Sequence, residues 1–174
     1  WPEMLIAKEV IKAMIPFVAD KKDPRPAAKT VHVERKDGQA RAVATNGHAL
    51  MMTEWREAPV ADMPPQIPAI EGQRADFEAN VAVEDWKALA PMVPSVRDLP
   101  FLNVVAVSEG ANEGRLEAGS YDLETEQHRQ LRTVSKPFFE WRAAIPEYRI
   151  VGEDANAVGM LVSAERLGAL LKAF

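Results

Sequence analysis

The sequence predicts an α+β fold in which antiparallel sheets carry two helices on one face. Three observations predict it. Two stretches carry apolar residues at helical spacing, and a short extended segment precedes each. Period-2 strands joined by tight-turn residues follow each stretch. The order strand, helix, three strands therefore occurs twice, with a proline-rich crossing between the halves. The repeat is one of pattern rather than of residue identity.

Glu3 to Ile6 reads as a short strand that enters a helix over 7–15. Val10, Ile11 and Met14 form its apolar stripe, with Lys8, Glu9 and Lys12 between them. Pro16 should end or kink that helix. Lys21 to Pro26 forms a basic loop. Thr30 to Glu34 alternates like a half-buried strand, with Val31 and Val33 on one face. Asp37-Gly38 marks a hairpin, and Ala40 to Ala44 returns as the partner. Asn46-Gly47 is a second turn, after which Leu50 leads a strand to Trp55. The crossing holds Pro59, Pro64, Pro65 and Pro68. Ala79 to Val83 is the next short strand. Glu84 to Met92 is a helix with Glu84 and Asp85 in its first turn, where the helix dipole favours them. Its stripe is Trp86, Leu89 and Val93. Strands follow over 102–107, 115–123 and 127–134, with turns at Gly110, Gly114 and Glu124-Thr125. Phe138 to Pro146 is an irregular aromatic segment. Met160 to Val162 and Ala164 to Ala173 read as a new strand and a new helix, the same unit restarting. One domain over 1–152 is therefore expected, with 153–174 opening a second that stops at its first helix.

The bulk numbers set bounds. The chain has 174 residues, 47% hydrophobic and 27% charged, an ordinary globular balance. It contains no cysteine, so no disulfide framework or thiolate metal site is expected, which fits a reducing cytoplasm. No apolar run approaches a membrane span, and no signal peptide is evident. The opening Trp1-Pro2 in place of an initiator Met leads one to expect either trimming or a piece cut from something longer. A net charge of −5 argues against a simple DNA-coating protein, unless positive charge is concentrated on one surface.

Catalytic chemistry finds little support. His32, His48 and His128 are scattered, with no pair at metal-ligand spacing on a helix. His32 and His128 are expected to face solvent from their strands. No phosphate-cradling glycine loop or nucleophile elbow is present, and the carboxylates form no obvious cluster. A non-enzyme without metal or cofactor is expected. An enzyme using His48 in a surface pocket is the weakest of the alternatives, because no substrate suggests itself. The segment that stands out is Ala44-Thr45-Asn46-Gly47-His48-Ala49-Leu50. Taken alone it is a tight turn with Leu50 returning to the core.

With its neighbours, that segment resembles a motif of the bacterial DNA polymerase III β subunit, the sliding clamp. The family carries Ala-Thr-Asp-Gly-His-Arg-Leu at the end of its third strand, in its middle domain. Upstream, Arg25-Pro26 through Val31-His32-Val33-Glu34 matches the family's Arg-Pro strand entry in outline. Downstream, Phe138 to Ile145-Pro146 holds the place of the family's Phe-Pro-Asp-Tyr run to Leu-Pro. The stretch from Met160 to Phe174 is similar to the start of the next clamp domain. The resemblance spans nearly the whole chain in one register. Asn46 stands where the family has Asp, Ala49 where it has Arg, and Phe139 where it has Pro, which makes this a divergent member.

The resemblance implies a DNA-clamp fold and no active site. It implies a ring assembled from several domains, a homo-oligomer in the full-length protein, that encircles double-stranded DNA without reading its sequence. Lys8, Lys12 and Lys87 would face DNA from the helices, Lys172 from the following one, and Lys21, Lys22 and Arg25 from a neighbouring loop. It further implies a cleft for short peptides of DNA polymerase and clamp loader, with Thr45, Gly47, His48, Leu50 and Pro146 on this side. The other side belongs to a domain the chain barely begins, so the chain alone should bind such peptides weakly. The alternative is a clamp-like accessory or decoy module that binds replication proteins without forming a ring.

Overall fold

The computed structural model describes residues 3–36, 39–56, 76–96, 103–109, 116–122, 124–144 and 160–161. The elements follow the expected order. The first half is β1 (Glu3–Ala7), α1 (Lys8–Met14), β2 (Thr30–Lys36), β3 (Gln39–Thr45) and β4 (Leu50–Arg56). The second half is β5 (Phe77–Ala82), α2 (Val83–Leu89), β6 (Val104–Glu109), β7 (Leu116–Tyr121) and β8 (Glu126–Leu131). A two-residue strand, β9 (Met160–Leu161), comes last. The hairpin at Asp37-Gly38, the crossing over 59–68, the glycines at 110 and 114, Pro146 and the helix expected over 164–173 lie outside the described residues.

The two halves exchange their first strands. One sheet runs β1-β6-β7-β8 and the other β5-β2-β3-β4-β9, with every pair antiparallel. β1 therefore completes the meander of the second half, and β5 that of the first. The sheets meet where the chain leaves β8. Ala82 N–H donates to the Arg132 carbonyl at 3.0 Å, and Val134 N–H to the Asn80 carbonyl at 2.9 Å. β9 extends the second sheet by pairing Leu50 with Leu161 and Met51 with Met160.

Equivalent elements align with residue identity, which pattern reading alone does not find. Residues 3–18 laid over 78–93 match at Glu3/Glu78, Ala7/Ala82, Glu9/Glu84, Lys12/Lys87, Ala13/Ala88, Pro16/Pro91 and Val18/Val93. Each seven-residue helix runs into a 3-10 turn whose second residue is proline, Pro16 or Pro91. Proline lacks the N–H that would continue the α-helical ladder, so each helix ends in this tighter turn.

Both helices pack on the same side of the sheets. Ile11 and Met14 of α1 and Trp86 and Leu89 of α2 join Met4, Ile6, Val31, Val33, Val81, Val105 and Val107 in one core. Ala40, Ala42 and Ala44 face that core from β3, and their small size lets α1 lie close to the strand. One indole ties the two helices together and another ties the two sheets. Trp86 Nε1–H donates to the Ile11 carbonyl at 2.9 Å, and Trp55 Nε1–H to the Leu5 carbonyl at 3.0 Å.

Two expectations need correction. β2 is not half-buried; every residue from Thr30 to Arg35 is buried, on both faces. His32 accordingly is not solvent-facing but 6% exposed. The cause is the segment after β8, which crosses the sheet opposite the helices and covers His32 and Glu34. His128 is exposed, as expected.

Candidate functional site

The helix face presents lysines at equivalent places. Lys12 on α1 and Lys87 on α2 are both exposed, and Lys8 is half-buried one turn before Lys12. None of the three makes a salt bridge among the described residues. Lys21 reaches from its loop to Glu84 at 3.0 Å, and its hydrogen bond holds the Glu84 carboxyl below the ordinary range. Lys22 is exposed at the same turn, where Asp20 accepts its backbone N–H at 2.9 Å. Beneath this face, Asp85 is 5% exposed. Its carboxylate accepts the backbone N–H and Nε–H of Arg132 at 2.9 and 2.8 Å and lies 3.5 Å from Arg129. Burial acts to raise the Asp85 carboxyl, but the Arg132 hydrogen bonds overcome it and hold the group below the usual aspartate range. Lys172 lies outside the described residues.

Arg25 sits apart from the helix lysines. Its guanidinium pairs with Asp23 at 2.8 Å and donates to the Asn46 carbonyl at 3.1 Å. The side-chain bond to Arg25 brings the Asp23 carboxyl down to about 2. Arg25 thus braces the turn after β3. In that turn Asn46 Oδ1 accepts the N–H groups of His48 and Ala49, and Thr45 Oγ1 donates to the Ala49 carbonyl. Gly47 adopts φ 83°, a left-handed conformation that glycine takes without cost. The Cβ of any other residue there would lie 2.5 Å from Arg25 Nη1. Thr45, Gly47, His48 and Leu50 are therefore brought together at one end of β3 and β4. His48 is exposed and Leu50 half-buried, while Ala49 takes the buried place. Pro146, the fifth member expected, lies outside the described residues.

On the opposite face, the segment over 133–142 encloses a cavity of about 420 Å³ against β2 and β5. Phe138 stacks on the His32 ring at 4.9 Å with the planes 12° apart, and Arg142 donates to Glu34 at 2.5 Å. Arg41 bridges Glu34 and Glu54. Burial acts to raise the Glu34 carboxyl, but hydrogen bonds from Arg142 and Arg41 hold it below the ordinary glutamate range. No pattern within β2 announces this cluster, because its cover comes from residues a hundred positions later.

No protein-family model and no curated protein matches the chain. Solved structures do. A DNA polymerase sliding clamp from Pseudomonas aeruginosa superposes with a TM-score of 0.57 at 19% identity, over 83% of this chain and 34% of that one. The DNA polymerase III beta subunit of Thermotoga maritima gives 0.57 at 16% identity, over 84% and 34%. The sliding clamp of Bacillus subtilis gives 0.57 at 12%, over 84% and 33%. The fold is that of the sliding clamps, and this chain spans about a third of the length of those it matches.

Proposed function

We propose that this chain is one arc of a DNA sliding clamp, a processivity factor of a replicative DNA polymerase that holds duplex DNA by charge and carries out no chemistry. The observation that carries this reading is the equivalence of Lys12 and Lys87. The repeat places one lysine at the same position of each helix, on the one face both helices share. A ring must grip DNA without reading it and must let it slide. Phosphate contacts from flexible lysines meet both needs, since they carry no sequence information. An acidic total is compatible with this when the cations gather on the inner surface. Lys8 joins that surface, with Lys21 and Lys22 at its margin. The following domain, opening with β9, and further copies of the full-length protein would close the ring in the cytoplasm.

Partner peptides of polymerase and loader would dock at the turn formed by Thr45, Gly47, His48 and Leu50, with Pro146 as the further residue that the resemblance implies. Arg25 is an added member of that surface rather than of the DNA face, because its guanidinium is committed to the turn. Ala49 in place of the family's arginine leaves Arg25 to supply the cation there.

Fluorescence anisotropy of duplex DNA against salt tests the reading. If Lys8, Lys12 and Lys87 each neutralise one phosphate, log K should fall against log salt with a slope of about −2.7, or roughly 40-fold from 50 to 200 mM. Two unrelated duplexes should bind alike, and replacing the three lysines by alanine should flatten the slope. A sequence preference, or a slope that survives the triple replacement, would count against it.

A further inference from the structure

We propose that His32, Glu34 and Glu78 form a divalent-cation site of the zinc type on the sheet face opposite the helices, roofed by the 133–142 segment. One nitrogen of His32 and one carboxylate oxygen from each glutamate lie within 4.8 Å of one another. Strand geometry produces the cluster. His32 and Glu34 alternate onto the same side of β2, and the register sets Glu78 of β5 directly across from Glu34. Like charges facing across a sheet repel unless something between them compensates. Glu34 Oε1 is served by Arg41 and Arg142, which leaves Oε2 turned toward His32 Nε2 at 3.5 Å. Glu78 has no cationic partner among the described residues.

The histidine is oriented as a ligand. Asn80 Nδ2 donates to the Lys136 carbonyl at 2.7 Å and faces the Val134 carbonyl at 3.5 Å. Its Oδ1 therefore turns to His32 and accepts Nδ1–H at 2.8 Å. His32 Nε2, the ring nitrogen not engaged by Asn80, lies 3.5 Å from Glu34 Oε2. Metal-binding histidines commonly donate their other ring nitrogen to an oxygen in this way, which fixes ring and tautomer. Imidazole nitrogen with carboxylate oxygens suits zinc among the common divalent ions, and the adjoining cavity has room for water to fill a fourth position. Two guanidiniums nearby oppose the ion. Lys136 also lines the cavity, and the four carboxylates Glu34, Glu54, Glu78 and Glu140 outnumber these three cations. The ion would lock β2 to β5 beneath Phe138 and fasten the covering segment. This inference stands whether or not the helix face binds DNA.

Calorimetric titration of the untagged chain with zinc chloride, together with long-range proton–nitrogen NMR of the histidine rings, tests it. A single zinc should bind, moving the Nε2 resonance of His32 and leaving those of His48 and His128 in place. Glu78→Gln, a change at an exposed position, should weaken binding by about tenfold or more while the amide spectrum stays folded. No heat at millimolar zinc would overturn the site. So would affinity unchanged in Glu78→Gln, or shifts confined to His48 or His128.

Discussion

Asp85→Asn should loosen α2 from the chain leaving β8, and the loss should depend on pH. Asp85 is buried, and its carboxylate takes both the backbone N–H and the Nε–H of Arg132. A hydrogen bond to a charged acceptor contributes about 1.5 to 3 kcal/mol, against about 1 for a neutral one. Asparagine keeps an acceptor oxygen for the backbone N–H, so about 1 kcal/mol goes with the charge. The Arg132 side chain is 70% exposed, so its ion pair is screened by solvent and adds little. The total is about 1 to 2 kcal/mol, or a melting-temperature drop of roughly 3 to 6 °C for a chain of this size. Because the folded carboxyl lies below its unfolded value of about 3.9, its contribution is complete above that value. It is lost as pH falls through the folded pKa. Thermal melts of both proteins at neutral and strongly acidic pH check this. The gap should be full near neutrality and should close in acid. Equal melting at neutral pH, or a gap that does not change with pH, would refute the reasoning.

Gly47→Ala should cost about 1 to 2 kcal/mol in urea unfolding, from the left-handed backbone and from displacing Arg25. The same change in an Arg25→Ala background should cost less, because only the backbone term remains. Trp86→Phe should cost about 1 to 3 kcal/mol by removing the indole bond to Ile11 that joins the helices. Replacing Lys21, whose partner Glu84 is itself well exposed, should change the melting temperature very little.

Much of the fold was legible from local patterns. The apolar stripes through Ile11 and Met14 and through Trp86 and Leu89 marked both helices. Asn46-Gly47 marked a turn that does hold a left-handed glycine. What was not legible depends on contacts between residues far apart in the chain. Nothing in Glu3 to Ala7 says that it pairs with Val104 to Ser108 rather than with its own meander. Alternation in β2 suggested a wet face for His32, because the cover arrives from Phe138 and Arg142. The same distance hid the cluster of His32, Glu34 and Glu78, whose members share no helical or loop spacing. Arg25 looked like part of a basic loop, and only the fold shows that the Asn46 carbonyl lies within its reach. The lysines of the helix face were legible as candidates. Their equivalence was not, because it rests on matching 3–18 with 78–93.

The claim that both helices share a single DNA-facing surface can be tested most directly by site-specific cross-linking. The chain contains no cysteine, so one photo-cross-linker can be placed at a time through Lys12→Cys, Lys87→Cys or Glu140→Cys. Duplex DNA should cross-link from positions 12 and 87 to a similar extent and regardless of sequence, and not from position 140 on the opposite face. Cross-linking from position 140, or from only one of the two helices, would contradict the account.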